Sequence, residues 1–208
     1  MKHCLTILAL FLSAFSFSLS IYGLEAGPVK RATDKAGNWI VEQYDTKGRV
    51  FGKTPDSTDI ITTALVVKAL CDSPRDYKEA NGPFITEPVK FLLEQLNEDG
   101  TFKDASKNGT EAVAWVRSAL ESTHNEKYKP LTEKLKALKG GDTPLTAGIQ
   151  PKYRLWIEEF AKVKEKADAE AFAEKMLALQ QKDGSFDQNV HATAVALQSL
   201  TYAYKKMK

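Results

Sequence analysis

The same apolar grammar recurs three times in this chain: an aliphatic helix stretch, a glutamine, a glycine-aromatic turn, and a second helix of small and aliphatic residues. The first halves read Trp39-x3-Gln43-x4-Gly48-x2-Phe51, Phe91-x3-Gln95-x4-Gly100-x-Phe102 and Met176-x3-Gln180-x3-Gly184-x-Phe186. The second halves align without a gap as TALVVKAL from Thr63, VAWVRSAL from Val113 and TAVALQSL from Thr193. A unit of this length cannot bury its apolar face alone and must stack on copies of itself, so the pattern predicts an all-α array of helical hairpins.

The repeats are preceded by a segment of another kind. Lys2 and His3 give a short basic start, an apolar stretch runs from Cys4 to Leu19, and small residues follow around Ser18, Ser20 and Gly23. This layout predicts a signal peptide over residues 1–26, cleaved after Ser20, Gly23 or Ala26, and export to the periplasm or beyond the cell. The stretch is shorter than the ~20 apolar residues that span a bilayer. The remaining repeat domain, 27–208, has about 180 residues, enough for one core.

The formal net charge is +2, and lysine and glutamate are mixed along the chain, which leaves no electrostatic footprint for nucleic acid. Once the leader is removed Cys71 is the one remaining cysteine, so no internal disulfide can form; nothing basic flanks it to stabilise a thiolate, and it reads as a buried structural thiol.

Periodicity predicts helices near 29–44, 57–71, 86–97, 109–122, 129–139, 152–165, 168–181 and 189–205, making four hairpins. Asp56 or Ser57 is expected to cap the second helix, and Thr86 followed by Glu87 and Pro88 to start the third. The unit from Lys129 to about Lys166 lacks the glutamine and the glycine-aromatic turn; a loop from Gly140 to Pro144 opens a longer connection before Tyr153, Trp156 and Phe160 resume an apolar face.

The glutamine-glycine-aromatic turns followed by TALVVKAL and TAVALQSL resemble the repeats of squalene-hopene cyclases and protein prenyltransferase β subunits. The stretch from Thr63 to Phe102 is similar to exported bacterial prenyltransferase/squalene oxidase repeat proteins. The resemblance covers roughly residues 29–122 and 168–205. It implies an α/α toroid in which second helices line a central cavity. Four hairpins fall short of the six that close such a toroid, so an incomplete, open ring is expected. The physical reading agrees: Gln43, Gln95 and Gln180 can bond helix termini or turns, and the glycines permit φ > 0 where each first helix ends.

The activities implied by the resemblance do not carry over. A terpenoid cyclase protonates its substrate with the middle aspartate of an Asp-x-Asp-Asp motif before Thr-Ala. Here Asp59 stands at the first position, but Ile61 holds the acid's place and Thr62 the next; before Thr193 the acid's place is taken by His191. An isoleucine cannot supply a proton, and imidazolium is too weak an acid to protonate an alkene. The prenyltransferase zinc ligands are not matched either, because Thr110 and Ala112 stand near the aspartate and cysteine places and His191 is about one residue out of register. No metal or cofactor is expected. There is no Gly-x-Ser-x-Gly turn or phosphate-cradling loop. A toroidal polysaccharide lyase would use charged groups such as Lys68, Glu111 and Arg117, which read first as helix-face charges.

The expected function is therefore a non-catalytic exported module that binds a hydrophobic small molecule such as a lipid or isoprenoid, a peptide, or an envelope protein, with self-association through open repeat ends. The alternative is an enzyme of the cyclase, prenyltransferase-like or toroidal-lyase kind with a non-standard site. Inner-helix candidates for ligand contact are Asp59, Thr62, Trp115, Arg117, His191 and Gln198.

Overall fold

A computed structural model describes residues 24–51, 57–104 and 109–208, without the side chains of residues 57–59. The apolar leader and Asp56 lie outside this description, as does the side chain of the other expected cap residue, Ser57. Among the described residues there are eight α-helices: α1 (Ala26–Glu42), α2 (Ser57–Asp72), α3 (Pro83–Glu94), α4 (Thr110–Ser122), α5 (Lys129–Ala137), α6 (Pro151–Phe160), α7 (Lys166–Leu179) and α8 (Val190–Met207). No strand forms among them; the only extended pairings are single bridges, Asp45 with Val50 and Leu96 with Phe102. The all-helical expectation holds, with most helix ends within three residues of the expected positions.

The second helices form a row, with α2 packed between α8 and α4. In the first three units the first helix does not lie chiefly on its own partner, whereas α7 packs chiefly on α8. Helix α1 packs on α8, α3 on α2, and α5 on α4, so each covers the inner helix of the unit before it in space. The carboxy-terminal unit thus stands beside the amino-terminal one. Small residues allow this closure: Ala32, Thr33, Ala36 and Gly37 are buried on one side of α1, and α8 is rich in buried alanine, with Ala192, Ala194, Ala196 and Ala203. Helix α8 is contacted by α1, α2, α6 and α7, which explains why it is apolar nearly all round and carries charge only from Lys205 onward.

The repeated turns explain two of the three signature glutamines. In the second unit Asn97 N–H bonds Thr101 O at 2.7 Å and Gly100 N–H bonds Asn97 O at 3.0 Å; in the last, Gln181 N–H bonds Ser185 O at 2.9 Å and Gly184 N–H bonds Gln181 O at 3.0 Å. Both turns also carry an aspartate that the repeat pattern does not include: Asp99 accepts from Thr101 N–H and Oγ1, and Asp183 from Ser185 N–H and Oγ. Gly100 and Gly184 sit at φ +90° and +98°. Gln95 Nε2 donates to Phe91 O. Gln180 Nε2 donates both to Gly184 O in its own turn and to Ala32 O of α1, tying the two ends of the chain together. The first unit differs: the positive φ falls on Arg49 (62°), not Gly48.

Two expectations change. Helix α3 starts at Pro83, not near Thr86, because a proline at the first helical position needs no N–H partner; Thr86 Oγ1 bonds back to Glu79 O. The third hairpin does not form as a pair, since α5 packs on α4 while α6 packs on α7 and α8. The chain between them returns as a strap over the starts of α4 and α2. Gly140 lies so close to Thr110 that a Cβ would come within 2.4 Å of its carbonyl oxygen, and a Cβ on Gly148 would meet Ile61 Cδ1 at 2.8 Å. The strap is pinned by Trp115 Nε1–H donating to Ala147 O at 2.8 Å and by Arg117 paired with Asp142.

Candidate functional site

The starts of α2 and α8, the end of α1 and the strap border an open pocket of about 820 Å³. Antiparallel packing of α1 on α8 brings Trp39, Glu42 and Gln43 to the place where α8 begins. Tyr44, Asp45 and Phe51 come from the turn after α1, Gly148 and Gln150 from the strap, and Gln188 to His191 from the entry to α8. The turn after α1 is one residue longer between glycine and aromatic than its two counterparts, and Tyr44 and Phe51 pack at 5.3 Å between ring centroids.

The entry to α8 is built under constraint. Asp187 and Gln188 both have left-handed backbones, φ 56° and 50°, a conformation that costs of order 1 kcal/mol or more for non-glycine residues and persists only when held. The holding groups are visible. Lys152 pairs with Asp187, Tyr153 O–H donates to the same carboxylate at 3.0 Å, and Gln188 Nε2 reaches Gln181 Oε1, Asp183 Oδ2 and Ser185 Oγ. These bonds hold the Asp187 carboxyl below the usual range, chiefly through Lys152 and then Tyr153. Asn189 then caps the helix, its Oδ1 accepting from Ala192 N–H at 2.9 Å.

His191, in the first turn of α8, is 7% exposed. Burial pushes its pKa down to about 4, so the imidazole is neutral at neutral pH. Its Nδ1 lies 3.2 Å from Thr62 Oγ1, and its Nε2 is buried without a hydrogen-bond partner. The pair is not a catalytic relay as it stands: no third side chain among the described residues orients the ring, and the low pKa makes it a weak base.

The structure therefore brings Thr62 and His191 together and places Trp115, Arg117 and Gln198 elsewhere. Trp115 is fully buried and its ring N–H is committed to the strap. Arg117 bonds Asp142 and sits beside Glu121. Gln198 is buried two helical turns further along α8, roughly 10 Å from His191 at 1.5 Å per residue, with its Oε1 unpartnered. The side chain of Asp59 lies outside the described residues. Lys68 bonds Asp72 and Ser122 at the far end of α2. Beside it Cys71 is buried, and burial, then Asp72, pushes its thiol up to about 12. The pocket residues that sequence reasoning misses include Trp39, Gln43 and Phe51, which repeat logic assigns to structure, and Glu42, Tyr44 and Asp45 beside them; the extra residue in their turn is the available signal.

Among the described residues, no cluster of three or more His, Cys, Asp or Glu is placed to hold a metal ion, and no helix is long and apolar enough to cross a membrane. Compared with protein-family models, with curated proteins and with solved structures, the chain matches none.

Proposed function

We propose that the chain is an exported, non-catalytic repeat module, an open arc of the α/α-toroid type, that binds a small molecule or a peptide segment at the starts of its inner helices. The observation that carries this reading is the pocket itself: about 820 Å³, within the usual size of a ligand site, and lined by aromatic and polar side chains that include the buried His191. Its lining mixes aromatic rings with amides and carboxylates, which favours a guest with both apolar and polar parts over a plain hydrocarbon such as an isoprenoid.

Native mass spectrometry of the protein after incubation with an envelope extract tests the reading, with Gln43→Trp as the pocket-filling variant. A defined small mass retained by the wild type and lost in the variant is expected. A protein that retains no ligand, or retains the same mass in both forms, sinks it. An enzyme of the cyclase or lyase kind ranks second, on the Thr62–His191 contact alone; turnover abolished by His191→Phe would move it first.

A further inference from the structure

The charge distribution around the pocket narrows what it can hold. Glu42 and Asp45 line it, and no lysine or arginine does among the described residues, although the chain as a whole carries a net +2. Two cations on adjoining elements are engaged elsewhere: Arg49 grips Glu94 with two guanidinium nitrogens, and Lys152 is paired with Asp187; Lys47, on the same turn as Asp45, is exposed and does not line the pocket. Among the described residues no cation pairs with Glu42, and Asp45 accepts from the Lys47 backbone N–H. Trp39, Tyr44, Phe51 and the buried His191 line the same pocket.

Aromatic faces attract a cation through their ring quadrupoles, most strongly where water is displaced. Carboxylates at the same mouth add Coulomb attraction. Resting on the pocket-binding reading above, we propose that the ligand presents an organic cation, an ammonium or guanidinium group, that seats among Trp39, Tyr44 and Phe51 with Glu42 and Asp45 at the rim. His191 lines the same pocket, with its Nδ1 3.2 Å from Thr62 Oγ1 and its Nε2 buried without a hydrogen-bond partner. An anionic ligand is disfavoured by the two carboxylates.

The test is calorimetric titration of the full chain with matched probes, while NMR follows the His191 ring signals. Choline is set against its neutral isostere 3,3-dimethylbutan-1-ol, and N-acetyl-lysine methylamide against the norleucine analogue. The cationic member of each pair is expected to bind about tenfold tighter or better and to shift His191. Glu42→Gln and Asp45→Asn should each weaken it several-fold, and added salt should do the same. Preference for choline points to a free quaternary ammonium; preference for the lysine probe points to a peptide side chain. Equal affinity within each pair, or cation binding unchanged in the double variant, overturns the cation and leaves the pocket as a binding site. If no probe shifts His191 and no mass is retained in the experiment above, both readings fall.

Discussion

Thr62 on α2 and His191 on α8 meet with Oγ1 and Nδ1 3.2 Å apart although 129 residues separate them, and this contact joins the amino-terminal and carboxy-terminal repeat units at the floor of the pocket. Everything proposed about ligand binding depends on that closure, because α8 contributes the imidazole while α1 and α2 contribute the walls.

The buried imidazole should make the fold acid-sensitive. A histidine protonates near pH 6.5 in the unfolded chain and at about 4 here, so below pH 6.5 the unfolded state binds more protons. Its contribution is complete above pH 6.5 and is lost as the pH falls toward 4, by up to about 3 kcal/mol. Thermal melts of the wild type and His191→Phe across pH 4–7 should show a steeper loss in the wild type. Parallel curves would mean that the ring is solvated.

The two matching glycine turns should respond differently to the same substitution. Both Gly100 and Gly184 have positive φ, so alanine costs about 1 kcal/mol at either. At Gly184 a Cβ would also come within 2.6 Å of the Lys35 carbonyl oxygen, whereas at Gly100 the nearest atom, Leu135 Cδ2, is at 3.5 Å. Urea denaturation should rank Gly184→Ala below Gly100→Ala by a further ~1 kcal/mol or more.

Gln180→Ala should destabilise more than Gln95→Ala. The first removes a bond to Ala32 O as well as one to its own turn; the second removes one bond within its own helix end. At about 1 kcal/mol per bond, the expected costs are about 2 and about 1 kcal/mol by chemical denaturation. Equal values would show that the link from α7 to α1 contributes nothing to holding the ends together.

Lys68 and Asp72 offer an asymmetric pair. Their side chains are 9% and 16% exposed and 2.7 Å apart. Removing the carboxylate by Asp72→Ala strands a buried ammonium and should cost about 3 kcal/mol, while Lys68→Met keeps the stem packing and should stay within about 1 kcal/mol. The same denaturation measurement decides it; reversed costs would place the carboxylate, not the amine, as the group that depends on its partner.

Helix number and position are legible in the sequence, because the 3.6-residue period and the three aligned octamers are local properties of the chain. Half of the turn chemistry is legible too: Gln180 and Gly184 behave as their spacing suggests, while Asp99 and Asp183 each directly precede the turn glycine, a repeated Asp-Gly that the glutamine-glycine-aromatic pattern leaves out. At the pocket, Thr62 and His191 can be picked out by their register before Thr-Ala. Trp115 and Arg117 share that register logic, yet both turn to the strap, since a rotation of one residue moves a side chain by about 100° around a helix.

By itself, then, the sequence determined that the chain is helical, that its units repeat, and that the third unit departs from the pattern, since each is written in the spacing of neighbouring residues. The tertiary structure alone decided the order of the units in space, with α8 beside α1 and α2, and so which side chains share a pocket. Stacking of near-identical helices is degenerate in sequence; small residues on α1 and α8, the Gln180 bond to Ala32 and a strap that crosses the row select one arrangement, and they do so through contacts between residues far apart in the chain.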